Sequence, residues 1–296
     1  MIPDRELEKR KEKLFSLLSP CVLCPRECGV DRRRESGYCG GRWQAVVASY
    51  SPHFGEEREL VGKGGSGTIF FSGCNLKCEF CQNYDISILE YGKEVSREEL
   101  GEIMLRLQKM GCHNINLVTP THFVPQIVDA LIYAWDRGLN IPIVYNSGGY
   151  EKVETLKLLE GIIDIYMPDI KYGTSLSGKA YSHVSDYWEV VKSAIKEMHR
   201  QVGDLVIEKG IARRGLLVRH LVMPNGVAHS EEVFRFLVEE ISPHTYVNIM
   251  EQYRPLYRAH LYPEISRPVK WEEYLEAIRK ARESGLYRGF PTRLIL

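Results

Sequence analysis

The sequence predicts an α/β protein in which a parallel sheet is covered by helices. From Gly67 onward, short stretches rich in apolar β-formers alternate with amphipathic segments of helical period. Before Gly67 the chain has little apolar periodicity and carries four of its eight cysteines. These observations predict a helix and a four-cysteine metal-binding module in residues 1–66, followed by one α/β domain in residues 67–296.

The N-terminal part is expected to begin with a charged helix over residues 5–18. Irregular chain follows to about Tyr50, and residues 51–66 are expected to form a loop. Residues 62–67 (Gly-Lys-Gly-Gly-Ser-Gly) match the G-x-G-x-x-G pattern of dinucleotide-binding turns. Because the pattern precedes a strand instead of following one, we interpret it as a flexible entry loop.

Six strands joined by helices are predicted after this loop. Ser96, followed three residues later by Glu99, forms a capping box at the start of the first helix. Periodicity alone fits either an open doubly wound sheet or a barrel. The predicted strands are 67–72, 114–119, 141–146, 163–169, 215–222 and 246–251, and the predicted helices are 95–110, 125–138, 151–160, 186–202, 230–241 and 270–284.

Three cysteines, Cys74, Cys78 and Cys81, stand in the loop that leaves the first predicted strand. Thiolates select zinc or iron–sulfur clusters, and a purely structural centre normally has four protein ligands. Three thiolates therefore leave one metal position open, as a chemically active site requires. The alternatives are three buried thiols or part of a zinc knuckle.

Polar residues stand at the ends of the other predicted strands. The carboxyl ends of parallel strands meet at one edge, where α/β barrels place their chemistry. A single polar residue there is often only a helix cap, whereas five strands with such residues favour a binding site. The residues are Thr119, Thr121 and His122, then Asn146 and Ser147, then Asp169 and Lys171, then Arg219 and His220, and finally residues 250–255.

The run Gly-Cys74-Asn-Leu-Lys-Cys78-Glu-Phe80-Cys81 resembles the cluster-binding signature of radical S-adenosylmethionine (SAM) enzymes. In that superfamily SAM chelates the fourth iron of a [4Fe–4S] cluster, and an aromatic residue precedes the last cysteine. The wider chain is similar to the branch of pyruvate formate-lyase activating enzyme. The resemblance implies a partial (βα)6 TIM barrel with an N-terminal cysteine-rich extension. Further matching blocks are residues 119–122, 145–150, 169–171, 218–224 and 250–255.

The resemblance implies the site residues as well. Cys74, Cys78 and Cys81 would hold the [4Fe–4S] cluster, and Lys171 and Arg219 would pair with the carboxylate of SAM. The candidate SAM neighbours are Phe80, which would pack on adenine, and Thr119, Asn146, Ser147, Asp169, Lys171 and Arg219.

The implied reaction is reductive cleavage of SAM to methionine and a 5′-deoxyadenosyl radical, which abstracts hydrogen from an unidentified substrate. One alternative is a glycyl-radical-enzyme activase of the pyruvate formate-lyase type. Activating enzymes carry a Gly-Gly-Glu stretch where this chain has Thr119-Pro120-Thr121, and their last-strand histidine has no clear counterpart here. These departures favour a different substrate. The other alternative is a non-enzymatic Fe–S or zinc protein that binds a partner or RNA.

Four further cysteines lie in the N-terminal part. Four soft ligands in an irregular segment predict a second metal, either structural zinc or a second Fe–S cluster. We expect the arginines between them to form a solvated surface and not a nucleic-acid patch. The cysteines are Cys21, Cys24, Cys28 and Cys39, and the arginines are Arg26, Arg32, Arg33 and Arg34.

Charge and hydropathy limit the partners. Lys+Arg and Asp+Glu both number 39, so no net field attracts nucleic acid or a membrane surface. The beginning of the chain lacks the apolar core of a signal peptide, and we expect a cytoplasmic protein. The expected partners are an electron donor such as flavodoxin or ferredoxin and, in the activase alternative, a protein substrate.

Overall fold

The computed structural model describes residues 3–291, and its centre is a row of six parallel strands. The strands are β1 (Ala45–His53), β2 (Ser66–Phe71), β3 (Lys93–Val95), β4 (Ile115–Val118), β5 (Ile143–Ser147), β6 (Ile165–Pro168), β7 (Val206–Glu208), β8 (Ile211–Leu221) and β9 (Tyr246–Met250). The helices are α1 (Asp4–Ser16), α2 (Arg58–Val61), α3 (Tyr84–Ser87), α4 (Arg97–Lys109), α5 (Val124–Trp135), α6 (Val153–Leu158), α7 (Ser175–Ser182), α8 (Tyr187–Val202), α9 (Ser230–Phe236) and α10 (Trp271–Glu283).

The parallel row runs in the order β2-β4-β5-β6-β8-β9. These are the six strands that the sequence predicts, and with the intervening helices they form a partial barrel of βα units, as the resemblance implies. Because consecutive parallel strands need a crossover, each helix lies outside the strands that it joins. The fold therefore places all six strand ends at one mouth.

Three further strands extend the sheet. β1 pairs antiparallel with β2 and β3 pairs antiparallel with β1, while β7 pairs antiparallel with β8. The expectation of a loop over residues 51–66 is wrong, because that range contains the end of β1, all of α2 and the start of β2. The division of the chain after residue 66 stays a prediction.

The short helix α2 contributes one side chain to the interior of the barrel. Its residue Leu60 is fully buried and packs among side chains of three strands, including Val144, Met167 and Leu217. Side chains alternate along a strand, so the residues two positions farther along β5 and β8, Asn146 and Arg219, also face the interior. Leu60 lies near the end of the barrel where the strands begin, since its carbonyl accepts a hydrogen bond from Asn114, which directly precedes β4. The opposite end, where the strands finish, is the one that carries the predicted polar residues.

Candidate functional site

The loop after β2, residues 72–82, carries the three cysteines and is called the cluster loop below. Its second residue is Gly73, whose φ of +86° lies in the left-handed region that favours glycine. A Cβ on Gly73 would lie 2.2 Å from the carbonyl oxygen of Cys39. That carbonyl accepts a hydrogen bond from the N–H of Cys74 at 3.0 Å. The cluster loop is thus held directly against the N-terminal part of the chain.

Each cysteine of the cluster loop has a polar neighbour at its sulfur. The N–H of Leu76 lies 3.4 Å from Sγ of Cys74. Hydroxyl groups lie 3.0 Å from the other two sulfurs, Ser182 at Cys78 and Ser87 at Cys81. Donors at cysteine sulfurs stabilise thiolates and tune the potential of a cluster.

Burial sets the charge of these thiols. The pKa of Cys78 is raised to about 12, mainly by burial; Lys171 acts to lower it, and the neighbouring Cys74 and Cys81 act to raise it. Burial also raises the pKa of Cys81. Cys74 and Cys81 both lie close enough to Cys78 to act on its charge, and the raised pKa values keep Cys78 and Cys81 protonated unless a metal compensates their charge. Three soft ligands in one loop suit an iron–sulfur cluster with one iron left open by their chemistry, although their side chains, like all others in residues 3–291, are not arranged around a single metal ion.

Charged residues at the mouth of the barrel face the interior near this loop. The residue Asp169 follows β6, and its Oδ2 accepts a hydrogen bond from Nζ of Lys171 at 2.6 Å. Burial alone would lower the pKa of Lys171, but Asp169 and Cys78 raise it above its usual value. Asp169 also lies beside Arg219 on the adjacent strand β8.

The guanidinium of Arg219 is already paired within the chain. Its Nε and Nη2 donate to the two carboxylate oxygens of Glu57 at 2.7 and 2.6 Å, and Nη2 also contacts Glu56. The side chain of Asn248, on β9, donates to Glu57 at 2.7 Å. Burial alone would raise the pKa of Glu57, and the charge and hydrogen bonds of Arg219 outweigh burial and lower it.

The remaining predicted SAM neighbours differ in position. The ring of Phe80 is buried against Tyr172 and Tyr253, with centroids 6.2 and 5.7 Å away. The residue Thr119 has a φ of +59°, rare for a β-branched residue, and its N–H donates to the carbonyl of Asn146. Ser147 follows Asn146 on β5, so its side chain faces away from the interior; its Oγ accepts from the N–H of Gly149.

A buried carboxylic acid lies behind β5, on the side of Ser147. The side chain of Glu151 accepts hydrogen bonds from Thr121 at 2.5 Å and from the hydroxyl of Tyr145 at 3.2 Å. Burial raises the pKa of Glu151 to about 7, although these hydrogen bonds lower it. The sequence did not single out Glu151, because an acidic residue after a strand is usually solvated.

The four N-terminal cysteines line one small cavity, called the four-cysteine cavity below. Its walls also include Arg26, Arg32 and His122. Burial raises the pKa of Cys24 to about 12. Among residues 3–291, no three His, Cys, Asp or Glu side chains form a group that could hold a metal ion. What favours a centre here is the shared cavity and its soft donors, Cys21, Cys24, Cys28 and Cys39.

The arginines between these cysteines do not all form the solvated surface that the sequence predicts. The side chain of Arg32 is only 1% exposed and donates to the carbonyl oxygens of Gly41 and His122. Its Nη2 has no hydrogen-bond partner within the described chain. The prediction is wrong for Arg32, because arginine content alone does not show which arginines the fold buries, whereas Arg33 and Arg34 are exposed.

Comparison with known proteins identifies the superfamily. The sequence model of the Radical SAM superfamily matches residues 68–237, more than half of the chain. The chain belongs to the radical SAM superfamily. An uncharacterized protein of Methanocaldococcus jannaschii is 34% identical over 290 residues, with 95% of this chain and 79% of that protein covered. The chain is therefore an enzyme of a superfamily whose cofactors are a [4Fe–4S] cluster and SAM.

Two other comparisons bear on the branch and the fold. The pyruvate formate-lyase-activating enzyme of Clostridium pasteurianum is 28% identical over 151 residues, covering 48% of this radical SAM chain and 63% of that enzyme. A radical SAM methyltransferase from Sphaerobacter thermophilus superposes with a TM-score of 0.50 at 14% identity, covering 75% of this chain and 65% of that one. The second match supports the partial barrel. No helix in residues 3–291 is long and apolar enough to cross a membrane.

Proposed function

We propose that Cys74, Cys78 and Cys81 hold a [4Fe–4S] cluster and that SAM binds beside it at the mouth of the barrel. The observation that carries this proposal is the cluster loop, which brings three thiols with donors at their sulfurs to the edge where Asp169 and Lys171 stand. When bound, the reduced cluster would supply one electron that splits SAM into methionine and a 5′-deoxyadenosyl radical, which takes hydrogen from a substrate.

The residues at the mouth would position SAM. Lys171 carries three N–H donors and gives one of them to Asp169, so it can also reach a carboxylate of SAM. Nε and Nη2 of Arg219 already donate to Glu57, and Lys171 is therefore the better candidate to bind the carboxylate of SAM. Asn146 faces the interior as a neutral hydrogen-bonding group. Leu60 of α2 is fully buried in the barrel among apolar side chains, and an apolar interior of this kind helps to exclude water, which would protect a radical from side reactions.

We also propose that residues 1–66 form a module in which Cys21, Cys24, Cys28 and Cys39 hold a second metal, either zinc or an Fe–S cluster. The buried Arg32 supports this centre, since a cation with two hydrogen bonds to carbonyls and one unpartnered nitrogen is costly unless an anion lies nearby. Four thiolates around a metal would supply that negative charge in the same cavity.

The experiment that tests the catalytic proposal is anaerobic reconstitution with iron and sulfide, followed by addition of a strong reductant and SAM. The expected product is 5′-deoxyadenosine, measured by chromatography. Replacing Cys74, Cys78 or Cys81 by Ala should abolish it, because two thiolates do not hold the cluster. Cys112→Ala is the matched control, since Cys112 is a buried thiol outside both cysteine sets.

Wild-type production of 5′-deoxyadenosine in any one of the three cluster-loop variants would contradict the assignment. The non-enzymatic alternative predicts no turnover by the wild-type chain and a salt-dependent shift of RNA or capture of a protein partner. An electron donor such as flavodoxin or ferredoxin should replace the chemical reductant.

The substrate class has two candidates. The partial match to a pyruvate formate-lyase-activating enzyme favours an activase. The sequence Thr119-Pro120-Thr121, in place of Gly-Gly-Glu, favours a different substrate, and we propose the latter. Incubation of the reduced, SAM-loaded protein with pyruvate formate-lyase should give no glycyl-radical doublet in an EPR spectrum. A doublet that depends on Cys74 would establish the activase.

A further inference from the structure

The side chain of Arg26 reaches from the four-cysteine cavity to the cluster loop. Its Nε donates a hydrogen bond to the carbonyl oxygen of Asn75 at 2.8 Å. Its Nη1 and Nη2 donate to the carbonyl oxygens of His183 and Ser182, each at 2.8 Å. One guanidinium thus joins the cavity wall, the cluster loop and the end of α7 through charge-assisted hydrogen bonds.

On the side of the four-cysteine cavity, the position of Arg26 depends on the cysteines and on Tyr38. Two of its cysteines, Cys24 and Cys28, flank Arg26 in the sequence at a distance of two residues on each side. The ring of Tyr38, the residue before Cys39, lies 4.0 Å from the guanidinium carbon. A metal that joins these cysteines would fix both the backbone that carries Arg26 and the ring on which its guanidinium stacks.

The far end lies against a sulfur of the cluster loop. The hydroxyl of Ser182 is 3.0 Å from Sγ of Cys78, and the carbonyl oxygen of Ser182 accepts a hydrogen bond from Arg26. Asn75 directly follows Cys74. A second link runs parallel to Arg26, because the carbonyl of Cys39 accepts from the N–H of Cys74. Direct hydrogen bonds therefore connect residues of the four-cysteine cavity to the segments that position Cys74 and Cys78.

We propose that Arg26 is a positioning residue that makes the retention of the cluster at Cys74, Cys78 and Cys81 depend on metal in the four-cysteine cavity. The proposal rests on the proposed function of the two cysteine sets. Without metal in the cavity, the backbone that carries Arg26 is held less firmly, and the cluster loop becomes more mobile. The irons held by the cluster loop then become accessible to chelators and to oxygen.

The rate of iron release from the reconstituted full chain to a ferrous-iron chelator tests this dependence. The compared variants are Arg26→Gln, the metal-depleted Cys24→Ser/Cys28→Ser, and their combination. Iron released by the Cys74/Cys78/Cys81→Ala variant is subtracted as the contribution of the cavity. We expect release from the cluster loop to be about fivefold faster, or more, in Arg26→Gln and in the cysteine variant. Arg33→Gln, an exposed arginine of the same segment stacked on Trp43, should match the wild type.

The combined variant distinguishes coupling from two independent effects. If Arg26 transmits the state of the cavity, the combination releases iron no faster than either change alone. The EPR spectrum of the reduced cluster should broaden in the same way in both, and Arg26→Lys should recover part of the wild-type line. Tyr38→Leu, which removes the exposed ring beneath the guanidinium, should act in the same direction with the fold intact.

Wild-type release in Arg26→Gln, or rate factors that multiply in the combination, would show the proposal to be wrong. Failure of the proposed function has a different signature. A wild-type chain that holds its cluster and never produces 5′-deoxyadenosine would overturn that function, whereas the comparison of iron release needs no turnover.

Discussion

At the scale of single residues, Gly73 lies where the cluster loop packs against the N-terminal part of the chain. Two separate demands meet there. The φ of +86° favours glycine, and a Cβ would lie 2.2 Å from the carbonyl oxygen of Cys39. Gly138 has a similar φ of +94° with open space around the missing Cβ. Comparing Ala substitutions at Gly73 and Gly138 therefore separates the cost of a positive φ from the cost of the steric clash.

Gly73→Ala should lower the free energy of unfolding by roughly 3 kcal/mol or more, since backbone atoms must move apart. Gly138→Ala should cost about 1 kcal/mol, the conformational part alone. Thermal unfolding of both variants measures the difference. Equal losses of stability would mean that the contact between Gly73 and Cys39 is not tight.

The buried Glu151 makes stability depend on pH. Its pKa rises from 4.5 to about 7 on folding because burial disfavours the carboxylate. Between these values the folded state binds more protons at Glu151 than the unfolded state, so the contribution of Glu151 to stability is greatest below about pH 4.5 and is lost as pH rises through about 7. Above that pH the folded chain carries a buried charge whose hydrogen bonds compensate it only in part.

Glu151→Gln should remove this dependence, and at pH 8 the variant should be more stable than the wild type by up to about 3 kcal/mol. Denaturant unfolding at pH 5 and pH 8 measures the change. Glu154→Gln is the control, because Glu154 is exposed on α6 and should leave the profile unchanged. A wild-type chain whose stability rises between pH 5 and pH 8, with Glu151→Gln following the same curve, would contradict this interpretation.

At the scale of elements, the capping box at the start of α4 is confirmed. The Oγ of Ser96 accepts from the N–H of Glu99 at 3.1 Å, and the carboxylate of Glu99 accepts from the N–H of Ser96 at 2.8 Å. Both bonds satisfy N–H groups that a helix start otherwise leaves without partners.

Ser96→Ala should therefore destabilise the protein by about 1 kcal/mol. The same substitution at Ser193, which is exposed within α8, should be neutral or slightly stabilising because alanine is the better helix former. Chemical denaturation of the two variants tests the prediction. Equal unfolding midpoints would show that the cap contributes nothing measurable.

The sequence predicts those elements whose apolar residues follow a clear strand or helix pattern. The six parallel strands are rich in apolar residues, most of them buried, and the sequence predicts each to within a few residues. The strand β1 was not predicted, because it is only partly buried and contains Pro52 near its end. The helix α7 was also missed, since its sequence, Ser-Leu-Ser-Gly-Lys-Ala-Tyr-Ser, has little apolar periodicity. Both elements owe their form to tertiary contacts.

At the scale of the whole molecule, the site combines parts that the sequence predicts with parts that only the fold brings together. The spacing of Cys74, Cys78 and Cys81 predicts a set of cluster ligands, because thiolate chemistry depends on residue type and local spacing. The contact of Arg26 with Ser182 joins positions 156 residues apart and has no local signature. The burial of Arg32 likewise depends on how the N-terminal part packs against the barrel.

In the proposed function, the cluster loop leaves one iron without a protein ligand and SAM binds there. The most direct measurement is the EPR spectrum of the reduced, reconstituted protein with and without SAM. Subtraction of the spectrum of the Cys74/Cys78/Cys81→Ala variant removes any signal from the four-cysteine cavity. We predict that SAM changes the g values of the remaining signal, because a new ligand enters the open position. A reduced cluster in the cluster loop whose spectrum is identical with and without saturating SAM would contradict the claim.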